Sequence, residues 1–143
     1  MKKFLLIAVL FTSFCFIGVN EVQASAGVYA YQTPVGGFWF LGTFADHTYS
    51  CITGADCYTF PLGTTKSGGT FDVGGTISDN FVQRAIDHAE CCASTMAYGS
   101  DGVCHQHTNQ VLAYAGKELT YNVDGYSLTR WYYGPTGYCS CAY

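Results

Sequence analysis

Charged side chains are scarce in this chain of 143 residues, where Asp, Glu, Lys and Arg together make up only 11%. Basic residues are the scarcer kind, with 6 Lys and Arg against 10 Asp and Glu, and the formal net charge is −4. Binding to nucleic acid or to an anionic membrane surface requires clustered Lys and Arg. The sequence therefore excludes both classes of function, and we expect no nucleic-acid partner.

Internal repeats, heptads and linker-like segments are also absent from the sequence. At this length, their absence indicates a single domain with one core. Aromatic residues and glycine are abundant instead, with 12 Tyr, 10 Phe and 17 Gly. Few charges and many aromatic residues are typical of a compact fold that is made largely of strands.

The N-terminus has the pattern of an export signal. Two lysines precede the apolar run Phe4–Val19, and small-residue cleavage patterns end at Ala24 and at Ala26. We place the cut after Ala26, so that residues 1–26 are a signal peptide and residues 27–143 are the mature domain. The apolar run is short for a membrane span, so we expect no stable membrane insertion after cleavage. The protein is predicted to be secreted or periplasmic.

Cysteine is common in the predicted mature domain. Its seven cysteines are Cys51, Cys57, Cys91, Cys92, Cys104, Cys139 and Cys141. In an oxidising compartment cysteines pair, and an odd number leaves one thiol over. If Cys104 is that thiol, the first two cysteines could close a small local loop. Two further bridges would then join the Cys91-Cys92 pair to the pair at 139 and 141. An intermolecular disulfide is the alternative for the odd thiol.

The residue pattern predicts an α+β fold with an antiparallel sheet packed against two helices and stapled by disulfides. The predicted strands are Gly27–Gln32, Gly37–Phe44, Thr48–Ile52, Cys57–Phe60, Thr70–Val73, Leu119–Val123, Tyr126–Tyr133 and Tyr138–Tyr143. One helix is predicted from Asp79 to about Ala93, with Ser78 as its cap. The other is predicted over His105–Ala115, with Gly116 as its stop.

Cys104 is the strongest candidate for chemistry. It lies in Gly102-Val103-Cys104-His105-Gln106, where a glycine-containing turn leads into the second predicted helix. A thiol at a helix N-terminus lies at the positive end of the helix dipole, which favours the thiolate. The backbone N–H at that position has no intrahelical acceptor and is suited to an oxyanion. We therefore predict Cys104 as a nucleophile.

His47 is the candidate general base. It lies in an alternating segment that could present the imidazole from a strand onto the cysteine helix, while Asp46 would point to the opposite face. Tyr58 or a backbone carbonyl would then orient the ring. A surface histidine is the alternative interpretation. His107, three residues after Cys104, could instead lower the thiol pKa or act as the base.

Cys104, His105 and His107 at the helix start are of the residue types that bind zinc, but their spacing argues against a zinc site. Successive helical residues diverge by about 100°, so of the three only Cys104 and His107 could share a face. A fourth ligand at a suitable spacing is absent. We predict no metal and no cofactor, and we interpret Gln106 and Asn109 as solvent-facing or cap-bonding and His88 as structural.

The order of these motifs, a histidine strand followed by a cysteine helix, resembles the circularly permuted NlpC-type branch of the papain-like hydrolases. That branch includes the lecithin-retinol-acyltransferase-like proteins. Asp46-His47-Thr48-Tyr49 matches the histidine strand, and Gly102-Val103-Cys104-His105-Gln106-His107-Thr108-Asn109-Gln110-Val111-Leu112 matches the cysteine helix.

The resemblance implies a papain-like permuted core and thiol chemistry on an amide or ester. An acyl-enzyme would form on Cys104, and water or another acceptor would release it. The implied substrate is a peptide or another cell-wall amide, such as a peptidoglycan stem peptide, and the expected protein is a monomeric thiol protease or amidase.

A second hypothesis is a non-catalytic, secreted, disulfide-rich binding or toxin-like module. The aromatic C-terminus, which includes Tyr126–Tyr133, could stack on sugars or peptides, or it could simply pack against the core. The state of Cys104 separates the two hypotheses, because a bridged Cys104 would leave no nucleophile.

Overall fold

The computed structural model describes residues 25–35 and 45–141, which form an α+β fold. The strands are β1 (Ser25–Pro34), β2 (Asp46–Ile52), β3 (Cys57–Thr59) and β4 (Thr70–Ser78), and the helices are α1 (Asp79–Thr95), α2 (Cys104–Leu112) and α3 (Tyr126–Tyr133). A short 3-10 helix, Ala113–Ala115, continues α2. The strand predicted at Gly37–Phe44 lies outside the described residues, as does the signal segment up to residue 24.

The four strands form one open antiparallel sheet in the order β3-β2-β1-β4. Side chains alternate between its two faces, as strand geometry requires. Val28, Ala30 and Ile77 lie on the inner face and pack in the main core with the helices. On the outer face, the ring of Tyr31 lies 5.3 Å from Tyr49, centroid to centroid.

The start of β1 bears on the predicted cleavage site. Ser25 pairs with Ser78 and Ala26 pairs with Ile77, so the strand begins before the cut that we placed after Ala26. Cleavage there would remove two residues that are paired in the sheet. The other small-residue pattern, which ends at Ala24, would leave β1 whole.

Helix α1 is amphipathic and matches its predicted position, with two further residues at its end. It buries one face, which includes Ala85, Ala89 and Cys92. Ser78 occupies the N-cap position, but its side chain makes no capping hydrogen bond. No helix in the described part of the chain is both long and apolar enough to cross a membrane.

Helix α2 is fully buried although most of its side chains are polar. Its nine residues are all buried, including the run His105-Gln106-His107-Thr108-Asn109-Gln110. Burying polar groups is costly unless they are hydrogen-bonded. The amides of Gln106, Asn109 and Gln110 accordingly donate to the carbonyls of Gly134, Pro135 and Thr136. Neither Gln106 nor Asn109 faces solvent, since both hold the C-terminal segment. The cap-bonding alternative is confirmed for Gln106, whose Oε1 accepts from the Val103 amide at 3.2 Å.

The C-terminal third differs from the prediction of strands. Tyr126–Tyr133 is the helix α3, and neither Leu119–Val123 nor the described part of Tyr138–Tyr143 is a strand. The tyrosine-rich run favours strand by propensity, but a tertiary contact overrides it. The hydroxyl of Tyr126 is buried between Asn109 and Glu118, which anchors the first turn of α3. Of the three helices, α1 and α2 pack against the sheet, as expected, and α3 packs against α2.

Three disulfides staple the domain. They join Cys51 to Cys57, Cys91 to Cys141 and Cys92 to Cys139. The first closes the turn between β2 and β3, and the other two fasten the C-terminal segment to α1. The predicted six bridging cysteines are confirmed, and Cys104 is free.

Candidate active site

Cys104 is the first residue of α2 and faces the sheet. Its side chain is only 6% exposed, and its Sγ lies 3.8 Å from the carbonyl oxygen of Asp46 on β2. One turn later, the Thr108 hydroxyl donates to the Thr48 hydroxyl at 3.1 Å. Helical periodicity places Cys104 and Thr108 on one stripe of α2, and this stripe faces the sheet.

Two opposing effects act on the Cys104 thiol. Burial raises its pKa, and hydrogen bonds from the backbone and hydroxyl of Thr48 and from the amides of Cys104 and His105 partly offset that rise. A helix N-terminus contributes roughly 1 kcal/mol, whereas desolvating an ion costs several kcal/mol, so burial wins. The resting thiol is therefore protonated at neutral pH, and the helix start alone does not produce the thiolate expected from the sequence.

A cavity of about 510 Å³ opens beside this sulfur. Its lining includes Cys104, His47, His105 and Asp46, and the other described lining residues are neutral: Thr33, Pro34, Val35, Ala45, Pro61, Gly63, Thr64, Thr65, Tyr98, Val103 and Thr129. The wall of the cavity thus contains one thiol, two imidazoles and one carboxylate, that of Asp46, and its other residues are neutral. Such a combination can support nucleophilic chemistry on an uncharged carbonyl group.

His47 lines this cavity from the outer face of the sheet. Its Nε2 lies 2.8 Å from the Thr65 carbonyl oxygen and 2.9 Å from the Thr59 hydroxyl. The even-numbered residues of β2 face α2, as the contact between Thr48 and Thr108 shows. His47 and Asp46 therefore lie on the opposite faces of the strand to those expected, although His47 and Cys104 both line the cavity. The pairing of His47 with Cys104 stays a prediction.

The imidazole of His47 is in the neutral form that a general base requires. Burial lowers the pKa of His47, and the hydrogen bond to the Thr65 carbonyl partly offsets that effect. A carbonyl oxygen only accepts hydrogen bonds, so Nε2 carries the proton. In the neutral ring, Nδ1 is then the nitrogen that can accept a proton.

His105 is a second imidazole at the site, which the sequence pattern suggested only as a metal ligand. It is 1% exposed, with Nε2 at 2.8 Å from the Asp46 carbonyl oxygen and Nδ1 at 2.9 Å from the Thr129 hydroxyl. Its ring also meets Tyr126 edge-on. The divergence of neighbouring side chains on a helix led away from His105, because that rule considers the helix alone and ignores the start of β2, which lies against the first turn of α2. A histidine directly after a helix-starting cysteine is the signal that could have found it.

The two supporting candidates lie elsewhere. His107 points to α1, where its Nε2 lies 2.9 Å from the Ala89 carbonyl oxygen, and its ring stacks on Phe60. Tyr58 is buried in the main core on the inner face of the sheet. Neither residue lines the cavity beside Cys104, so the structure does not bring them to the candidate nucleophile.

One group of possible metal ligands occurs among the described residues, and it lies away from Cys104. The ligand atoms of His88, Cys92 and Cys139 are within 4.8 Å of one another. Cys92 and Cys139 are bonded to each other as a disulfide, however. Metal binding requires thiolates, so this group is not a metal centre in the oxidised protein.

Comparison of the chain with protein-family models, with curated proteins and with solved structures found no match. The resemblance to the permuted NlpC-type branch therefore rests on the two short motifs around His47 and Cys104. The fold is established at the level of α+β with an open antiparallel sheet, and the function has to be inferred from the geometry of the cavity.

Proposed function

We propose that this protein is an exported cysteine hydrolase that forms an acyl-enzyme on Cys104. One observation carries the proposal: of the seven cysteines in the described residues, six are bridged, and the seventh lies in the wall of a cavity together with two imidazoles. A cysteine that serves only packing would be surrounded by apolar groups. The sulfur of Cys104 is instead surrounded by hydrogen-bond donors from Thr48 and from the start of α2.

The reaction follows from these groups. The Cys104 thiol loses its proton to an imidazole, and the sulfur attacks the carbonyl carbon of an amide or ester, so that a C–S bond forms. The tetrahedral oxyanion collapses, the C–N or C–O bond breaks, and the leaving group takes the proton from the imidazolium. Attack by water on the thioester repeats these steps and releases the acid, while another acceptor would give acyl transfer.

The start of α2 supplies the donors that an oxyanion needs. The amides of Cys104 and His105 already point at the sulfur. They belong to the first turn of the helix, whose N–H groups have no intrahelical acceptors. When the sulfur becomes acylated it ceases to be the negative atom, and these N–H groups are then available to the adjacent oxyanion.

The substrate class and the location are part of the same proposal. A cavity that is rich in threonine and has Asp46 as its one carboxylate suits an uncharged peptide or acyl group. The resemblance to the NlpC-type branch favours a peptide or cell-wall amide. Three disulfides and the N-terminal signal pattern favour an oxidising compartment outside the cytosol.

A non-catalytic binding module is the second candidate. The observation that favours it is a surface of exposed side chains on α3, where Leu128, Trp131 and Tyr132 are all more than two-thirds exposed. Large exposed apolar side chains that lie together are often interaction sites. The raised pKa of the Cys104 thiol is also compatible with a thiol that does no chemistry.

Acylation of the thiol separates these candidates. The oxidised protein is incubated with activated esters and with peptide amides, and the peptide that contains residue 104 is analysed by mass spectrometry. We expect a covalent acyl adduct on Cys104, turnover of the substrate, and neither in Cys104→Ser. The serine variant is expected to keep its free energy of unfolding within about 1–2 kcal/mol, because the serine hydroxyl is of similar size and can keep the hydrogen bonds made to the thiol. A thiol that no ester or amide acylates would leave the binding module standing.

A further inference from the structure

We infer that His105 is the imidazole that takes the proton of Cys104, so that the reactive state of the site is a Cys104 thiolate beside a His105 imidazolium. The significance of this pair rests on the proposed function, since only a nucleophilic Cys104 needs a proton acceptor. The inference moves the role of base from the strand residue His47 to the residue directly after the nucleophile.

The first argument is convergence on one carbonyl. The Sγ of Cys104 and the Nε2 of His105 lie 3.8 Å and 2.8 Å from the same oxygen, that of Asp46. The two side chains therefore approach the same backbone atom at the start of β2. The hydrogen bonds of His47 to Thr59 and Thr65 hold its ring on the outer face of the sheet.

The second argument is that the surroundings of His105 can hold a cation. Nε2 faces the Asp46 carbonyl, which can only accept. Nδ1 faces the Thr129 hydroxyl, whose own proton can go to the Tyr126 carbonyl oxygen at 3.1 Å. Both N–H groups of an imidazolium would thus find acceptors without any rearrangement.

The third argument is that the sulfur site can hold an anion. The Thr48 hydroxyl accepts from Thr108, which leaves its own proton free to donate to Sγ together with the Thr48 backbone N–H. Burial disfavours either charge alone, since it raises the pKa of the thiol and lowers that of His105. Charges of opposite sign that form together largely cancel that penalty.

The proton balance of the step is simple. The S–H bond of Cys104 breaks and an N–H bond forms at Nδ1 of His105, which carries no proton in the neutral ring because Nε2–H donates to the Asp46 carbonyl. The Thr129 hydroxyl, 2.9 Å from Nδ1, borders the cavity. Besides Cys104 itself, the titratable groups around the ring are Asp46 and His47 on β2 and Tyr126 on α3. The Asp46 carboxylate favours the imidazolium, and a protonated His47 would oppose it.

This pair makes a specific prediction for reactivity. Moving one proton between the two groups leaves their total number of protons unchanged. The fraction of molecules in the thiolate–imidazolium form is therefore independent of pH between the two pKa values of the pair. The rate of alkylation of Cys104 by iodoacetamide should therefore level off below pH 8. In His105→Gln, whose amide can still donate to the Asp46 carbonyl, the rate should instead fall about tenfold per pH unit from pH 8 to pH 6.

Two further variants complete the test. His47→Gln should keep the pH-independent region of the alkylation rate. Thr129→Val removes the acceptor of the Nδ1 proton while keeping the side-chain shape, and it should lower the alkylation rate in that region about tenfold. Thr129→Val also serves if His105→Gln fails to fold, which a melting curve would reveal. A level region that survives in both His105→Gln and Thr129→Val, or that disappears in His47→Gln, would overturn the inference.

The same data separate this inference from the proposed function. If amides and esters acylate Cys104 but the variants at 105 and 129 keep the wild-type pH profile, the hydrolase stands and His105 is not its base. If the profile depends on His105 but no amide or ester acylates Cys104, the pair exists and the proposed function fails.

Discussion

At the scale of single residues, Asn109 shows how α2 tolerates burial. Its Nδ2 donates to the Tyr126 hydroxyl and to the Pro135 carbonyl oxygen, each at 2.8 Å, and its Oδ1 accepts from the Leu119 amide at 2.7 Å. One side chain thus satisfies three buried groups from the last third of the chain. Leaving a buried polar group without a partner costs more free energy than a hydrogen bond contributes to stability. Substitution of Asn109 should therefore destabilise the fold strongly.

We therefore expect Asn109→Ala to lower the free energy of unfolding by about 3–5 kcal/mol, measured by chemical denaturation of the oxidised protein. The matched control is Gln83→Ala, which removes a solvent-exposed hydrogen bond within α1 and should cost less than about 0.5 kcal/mol. Equal effects of the two substitutions would contradict the role that we assign to Asn109.

His107 gives the protein a pH-dependent stability. Burial lowers its pKa below the 6.5 of a free histidine, and the hydrogen bond to the Ala89 carbonyl only partly offsets this. The unfolded chain therefore binds a proton near pH 6.5 where the folded chain does not. The stabilisation is complete above that pH and is lost as the pH falls towards the folded pKa, by up to about 1.4 kcal/mol per pH unit.

In His107→Gln this titration is absent, while the amide can still donate to the Ala89 carbonyl. Urea denaturation at pH 7.5 and pH 5 should show that the variant loses less stability on acidification than the wild type does. His47 and His105 also have lowered pKa values, so both proteins should retain some acid sensitivity. An identical loss in the two proteins would show that His107 does not titrate in this range.

At the scale of elements, the two C-terminal disulfides act as one constraint. Cys91–Cys141 and Cys92–Cys139 close loops of 50 and 47 residues between the same two segments. A loop of this length contributes roughly 4 kcal/mol through the entropy of the unfolded chain, but the second bridge closes almost the same loop as the first. Their contributions should therefore not add.

We expect removal of one bridge, by Cys91→Ser with Cys141→Ser, to cost much less than the roughly 4 kcal/mol expected for loss of both. Chemical denaturation of the wild type, the double variant and the fourfold serine variant tests this. Additive losses would mean that each bridge acts through native contacts and not through the unfolded chain.

Prediction from sequence succeeded for elements defined by local signals. Short sequence patterns predict the amphipathic face of α1, the cysteine at the start of α2 and the left-handed Gly116 that ends the 3-10 helix. It failed where a distant contact decides the outcome. Tyr126 fits a strand by propensity, and only the buried partners of its hydroxyl explain the helix α3.

The candidate site shows the same limit. The free thiol and the six bridging cysteines follow from counting, and the placement of Cys104 against the sheet follows from helical periodicity. The face taken by His47 depends on the register of β2 against β1 and β3, which a shift of one residue reverses. The position of His105 depends on how the start of β2 lies against the first turn of α2, and no local pattern specifies that contact.

At the scale of the whole molecule, α2 is the element around which the rest assembles. It contacts β2 through Thr108, α1 through His107, and the segment after α3 through Gln106 and Gln110. These contacts are polar, and those through Thr108 and His107 are fully buried, so water cannot replace the latter two unless the molecule opens. The proposed nucleophile, Cys104, is thus held by the most constrained element of the fold, which suits a preorganised site.

Hydrogen exchange should reflect this arrangement. Amides of α2 can exchange only when the molecule unfolds globally, because all nine residues of the helix are buried. Helix α3 buries only Tyr126, and Trp131 is 81% exposed, so its later turns can open locally. In the oxidised protein at neutral pH, we expect the amides of residues 108–112 to exchange at least about a hundredfold more slowly than those of residues 130–133. Equal protection would mean that α3 unfolds only with α2, and faster exchange in α2 would contradict its central role.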